Sequence, residues 1–82
     1  MVRIEETGNF QNAANGIKDN LFKEKIKKQI KKIITNPEVG KPMKHGRKGT
    51  RELYVKPFRL SYAYIKEKDK IILLDLYHKK KQ

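Results

Sequence analysis

The chain has no cysteine and no tryptophan, and only two histidines, His45 and His78, far apart in sequence. The missing thiols exclude a disulfide framework and a thiolate metal site. Two distant histidines without cysteine make a structural zinc site a poor expectation, and no cofactor motif is present. Glycine and proline are sparse, at five and three, and Gly40, Pro42, Gly46 and Gly49 fall in one stretch, "GKPMKHGRKGT". No stretch approaches the roughly 20 consecutive apolar residues of a membrane span, and "MVRIEETGNF" has no signal-peptide pattern. The expectation is a soluble, cytoplasmic protein with no membrane partner. Acid is also scarce: nine Asp and Glu stand against 21 Lys and Arg, a net charge of +12 on 82 residues. A charge of about 2–8 already keeps a small domain soluble. A heat-adapted surface would raise glutamate along with lysine; here glutamate does not follow. The excess therefore points to an anionic partner, such as nucleic acid, anionic lipid or an acidic protein.

A chain of 82 residues holds one domain, residues 1–82, with a single economical core. Val2 and Ile4 alternate with Arg3 and Glu5, the pattern of a short strand over Val2–Glu6. "TGN" ends it. Phe10, Ala13, Ala14 and Ile17 then follow helical spacing, with Gly16 limiting the helix to a short one. Asp19 or Asn20 caps a second helix, in which Leu21, Phe22, Ile26, Ile30, Ile33 and Ile34 form one apolar stripe among lysines. Those lysines read first as a solvated face. Asn36 precedes Pro37 and ends the helix, because a residue before proline is pushed out of helical backbone.

Gly40–Thr50 reads as a loop carrying Lys41, Lys44, His45, Arg47 and Lys48. Its glycines would let the backbone approach a ligand, but the Gly-Lys-Ser/Thr spacing of a phosphate loop is absent. Three strands follow: "RELYV", "FRLSYAYI" and "IILLDLYH", with "KEKDK" as a hairpin loop of four or five residues. In the middle strand, Phe58, Leu60, Tyr62 and Tyr64 share the face expected to meet the helices, and Arg59 stands on the other. The last strand is apolar on both faces, hence central, and Asp75 within it calls for a partner such as Arg59 or Arg51. The order β-α-α-β-β-β gives an α+β fold, two N-terminal helices on one face of a small, mostly antiparallel sheet.

The order of elements, "GKPMKHGRKGTREL", "PFRLSYAY" and the closing "IILLDLYHKK" together resemble the RelE/ParE toxins of type II toxin–antitoxin systems. The resemblance covers most of the chain. It implies a toxin neutralised by a cognate acidic antitoxin. In the RelE branch such a toxin enters the ribosomal A site and cleaves mRNA; in the ParE branch it poisons DNA gyrase. "GTREL" is similar to ParE-like chains, whereas "YH" followed by basic residues looks like RelE and its YoeB relatives. The leading expectation is a ribosome-dependent mRNA endonuclease that needs no metal. The alternatives are a gyrase inhibitor and a non-catalytic basic nucleic-acid-binding domain.

RNA cleavage without a metal needs a group to take the 2′-OH proton, cations for the charge that builds on phosphorus, and an acid for the leaving 5′-oxygen. The resemblance places Arg59 at the family's strand arginine, and a guanidinium grips two phosphate oxygens at once. It places His78 at a terminal catalytic histidine, the side-chain type suited to acid–base work near neutrality. Lys79 falls where RelE-like chains carry a terminal arginine. Glu52 is a further candidate base, being the one acid between Gly40 and Ile65. Lys41, Lys44, Arg47, Lys48, Arg51, Lys56, Lys80 and Lys81 are the candidate contacts to RNA and the ribosome. Many RelE-like chains add a tyrosine beyond the basic cluster. None follows Lys81 here, and no motif singles out Tyr77 or Tyr54 in its place.

Overall fold

Thr7 does more than end the first strand. Its extended backbone and its hydroxyl, which accepts a hydrogen bond from the Phe10 amide at 3.1 Å, cap the first helix. In the computed structural model, which describes residues 2–43 and 49–78, strand β1 (Arg3–Glu6) leads directly into α1 (Gly8–Asn15). The helix starts earlier than the apolar spacing predicts because the cap lies inside "TGN". Asp19 then accepts from the Leu21 amide at 2.9 Å and opens α2 (Asn20–Thr35). Asn36, extended at φ −141° as its following proline demands, closes α2 by donating to the Lys32 carbonyl at 2.8 Å.

The rest of the chain is sheet. Strand β2 (Lys41–Pro42) is followed by β3 (Thr50–Val55), β4 (Phe58–Ile65), a single 3₁₀ turn at Lys66–Lys68, and β5 (Lys70–His78). The spatial order is β1-β5-β4-β3-β2, with β1 parallel to β5 and the other pairs antiparallel. The last strand is central, as its two-sided apolarity predicts. The start of the expected Gly40 loop is instead a two-residue edge strand, Lys41 and Pro42 pairing with Glu52 and Arg51. Proline fits there because an edge strand need not donate on its outer side. Lys56 and Pro57, joined by a cis peptide bond, turn β3 into β4. Residues 66–69 turn β4 into β5, with Asp69 in left-handed backbone at φ 48°.

One face of the sheet carries Val55, Leu60, Tyr62, Ile71, Leu73 and Leu76 into a core closed by Phe10, Ile26 and Ile33 from the helices. The α2 stripe is thus largely buried at its centre. Its ends differ from expectation: Leu21 is 77% exposed and Ile34 40%.

A β-bulge decides which way the end of β5 faces. Ser61 pairs with Asp75 and Tyr62 with Leu73, so Leu74 has no opposite number on β4. Before the bulge, odd-numbered residues such as Ile71 and Leu73 face the helices. After it, even-numbered residues do, as Leu76 and its register with Leu60 show. The Thr7 amide donates to the Leu73 carbonyl at 3.0 Å, and its hydroxyl donates to the Leu74 carbonyl at 2.5 Å. The residue that caps α1 therefore also satisfies the backbone of the bulge.

Candidate functional site

Directly opposed residues of antiparallel strands share a face. Tyr54 opposes Arg59, and Arg59 opposes Tyr77, so the three form one row across β3, β4 and β5 on the face away from the helices. Glu52, opposite Ser61, lies on the same face. The Arg59 guanidinium donates to Glu52 Oε1 at 2.9 Å, and the Tyr77 hydroxyl donates to Glu52 Oε2. One carboxylate is thus held from both sides, by a cation and by a phenol. The Arg59 and Glu52 side chains keep 30% and 20% of their surface exposed, so the ion pair is neither buried nor free. Charge-assisted hydrogen bonds of this kind fix geometry well.

This arrangement corrects one expectation. Asp75 is not paired with an arginine. Its Oδ1 accepts from the Leu76 amide at 2.8 Å. Arg59 goes to Glu52, and Arg51 points to the other side of β3, where its guanidinium donates to the Glu38 and Gly40 carbonyls at 3.0 and 2.7 Å. Arg51, expected among the RNA contacts, is spent on fixing the turn before β2. Tyr62 fixes the same turn from below, donating to the Pro37 carbonyl at 2.8 Å and accepting from the Gly40 amide at 2.9 Å. Burial pushes the Tyr62 phenol pKa above its ordinary value, against the lowering effect of the Gly40 amide. Gly40 approaches not a ligand but this ring: a Cβ there would lie 2.8 Å from the Tyr62 hydroxyl oxygen.

His78 lies on the opposite face from Arg59. It opposes Phe58, and the two rings meet edge to face at 5.3 Å and 70°, with Phe22 of α2 against Phe58 at 5.1 Å. The bulge at Leu74 produces this result, because without its shift in alternation His78 would share the Arg59 face and Tyr77 would not. Arg59 and Glu52 are therefore brought together, Tyr77 joins them, and His78 does not. Lys41, opposite Glu52, is exposed beside the cluster. Lys56 is exposed in the β3–β4 turn, next to a cleft formed by Ile17, Leu21, Phe22 and Phe58. Lys44, His45, Arg47, Lys48, Lys79, Lys80 and Lys81 lie outside the described residues. Among the described residues no group of His, Asp and Glu has the makings of a metal site, and no helix is long and apolar enough to cross a membrane.

A groove runs along the β3 edge beside the cluster, lined by Gln29 and Lys32 of α2, Lys41, and Glu52, Tyr54 and Arg59. The sequence model of the family described as the ParE toxin of type II toxin–antitoxin systems, parDE, matches residues 4–82. The chain belongs to this family. The toxin's fold is also that of solved RelE-like structures. A chain of the intact E. coli RelBE toxin–antitoxin complex superposes with a TM-score of 0.81 at 14% identity, covering 95% of this chain and 96% of that one. A YoeB/ParE toxin from Agrobacterium tumefaciens gives 0.82 at 15% identity, covering 94% and 98%. The archaeal RelE–RelB complex from Pyrococcus horikoshii gives 0.79 at 10%, covering 99% and 98%. At such identities the likeness is one of fold. A comparison with curated protein sequences finds no match. The α+β expectation and the RelE/ParE superfamily reading both hold for this toxin.

Proposed function

We propose that the toxin cleaves mRNA on the ribosome, using the Glu52–Arg59–Tyr77 cluster. The observation that carries this reading is a carboxylate held between a guanidinium and a phenol on the open sheet face, beside a groove with Lys32 and Lys41. A phosphate entering the groove competes with Glu52 for Arg59. Arg59 then holds the non-bridging oxygens, where charge grows as the 2′-oxygen attacks phosphorus and the bond to the 5′-oxygen breaks. Glu52, released from Arg59 and kept in place by Tyr77, takes the 2′-OH proton. Tyr77 is a positioning residue in this scheme. Water at this open face supplies the proton for the 5′-oxygen, since the His78 ring lies on the other face of the sheet. The +12 charge supports ribosomal RNA and mRNA as partners, and an acidic antitoxin as the cognate inhibitor, in keeping with the toxin–antitoxin complexes that share the fold.

The matching family model is that of ParE, which favours inhibition of DNA gyrase as the second reading. Primer extension on cellular mRNA after induction separates the two. The nuclease reading expects new 5′ ends for the parent. Arg59→Ala should lose about 10²–10³ in rate, as for one electrostatic donor, and Glu52→Gln about 10²–10⁴, as for a general base. Growth arrest without new 5′ ends, accompanied by loss of supercoiling by purified gyrase, would decide for the second.

A further inference from the structure

The seven phenylalanine and tyrosine side chains are treated unequally by the fold. Phe10 and Tyr62 are buried, Phe22 and Phe58 pack on each other, Tyr64 lies against the core, and Tyr77 is engaged with Glu52. Tyr54 is 52% exposed, the one aromatic among the described residues so open to solvent. Its position is as telling as its exposure. It opposes Arg59 in register, on the same face, and it lines the groove that also holds Lys32 and Lys41. Groove side chains thus put an accessible aromatic beside one cation, Arg59, and in one groove with two others, Lys32 and Lys41.

We propose that Tyr54 is a stacking platform for one nucleobase of a single-stranded RNA whose backbone follows the groove. Arg59 stands directly opposite Tyr54 on the adjacent strand and on the same face, so it is placed to meet a phosphate of the strand whose base stacks on Tyr54, and Lys32 and Lys41, which line the same groove, meet neighbouring phosphates. Every base has a π-face, so stacking of this kind is tolerant of sequence, while the lysines contribute a salt-dependent hold on the backbone. The inference rests on the RNA reading given above for its ligand, but not on the cleavage chemistry: it concerns the ground-state binding of a strand.

The test is fluorescence anisotropy with a labelled oligoriboadenylate and an abasic ribose-phosphate oligomer of the same length. Stacking one base is worth roughly 5- to 150-fold in affinity, so the parent should prefer the base-bearing strand by about that factor. Tyr54→Leu should abolish the preference, leave abasic binding and the salt slope unchanged, and melt like the parent. Tyr54→Phe should retain the preference. Lys41→Ala should weaken both probes alike and flatten the salt slope by about one unit. Equal binding of the two probes by the parent, or an undiminished preference in Tyr54→Leu, overturns the platform. If the preference depends on Tyr54 while Arg59→Ala and Glu52→Gln still cut mRNA as the parent does, the proposed cleavage site fails and the platform stands. If cleavage depends on Arg59 and Glu52 but the parent ignores the base, the reverse holds.

Discussion

Tyr77 and His78 are adjacent in sequence and on opposite faces of β5, which makes them a sensitive pair to exchange. Tyr77→Phe removes a single hydroxyl, the one that donates to Glu52 Oε2. Hydrogen bonds to charged groups are worth about 1.5–3 kcal/mol, and Glu52 stays attached to Arg59 at 2.9 Å, so the variant should fold with a lowered melting temperature. The larger effect is on rate. A carboxylate freed from one of its two anchors loses its aim, and misplacement by about 1 Å can cost 10²-fold. That loss should fall on kcat and leave KM for programmed ribosomes unchanged. His78→Gln removes an edge-to-face contact with Phe58 at 5.3 Å instead. Aromatic pairs contribute about 0.5–1.5 kcal/mol, and each kcal/mol shifts the melting of a domain this small by about 4–8 °C. The expected result is a drop of roughly 2–12 °C with cleavage by the folded protein intact. Single-turnover cleavage on programmed ribosomes, with circular dichroism melting of each variant, measures both. A folded His78→Gln that no longer cuts, next to a Tyr77→Phe that cuts normally, would refute the assignment of faces to function.

Two further predictions concern the support beneath the site. Gly40→Ala puts a methyl carbon 2.8 Å from the Tyr62 hydroxyl oxygen, 2.9 Å from its Cε1 and 3.0 Å from the Glu52 carbonyl oxygen, against a ring with 0% exposure that cannot yield. Overpacking of that kind costs about 1–3 kcal/mol, so calorimetry should show melting lowered by roughly 4–24 °C; melting equal to the parent's would show that the turn relaxes freely. Tyr62 supplies a pH dependence. Its folded pKa is raised by burial, so the folded state holds the phenolic proton more tightly than the unfolded chain does. Its contribution is complete below the ordinary phenol value of 10.0 and is lost as pH rises through and beyond it. Urea unfolding on either side of that pH should show a loss that Tyr62→Phe makes smaller, and an identical loss in both proteins would assign the effect to other groups.

What could be read from the residues alone divides along a physical line. Where one strand or helix face is apolar and the other polar, periodicity determines orientation, and so the α2 stripe and the alternation that sends Arg59 away from Leu60 and Tyr62 were both legible. β5 is apolar on both faces, so its residues Ile71 to Leu74 carry no such signal, and a one-residue slip reverses every side chain beyond it. The slip occurs at Leu74, and it is satisfied by the hydroxyl of Thr7, 67 residues earlier in the chain. No local pattern announces a partner at that distance. The same holds for Arg59, whose obvious partner by composition was the acid on the neighbouring central strand. The diagonal reach to Glu52 on β3 prevails instead. The consequence is chemical as well as topological. A capping threonine at the start of α1, by holding the bulge, selects which of two neighbouring side chains, a phenol or an imidazole, stands beside the arginine. The faces that Tyr77 and His78 take are thus tied to contacts that Thr7, just after β1, makes with the bulge of β5.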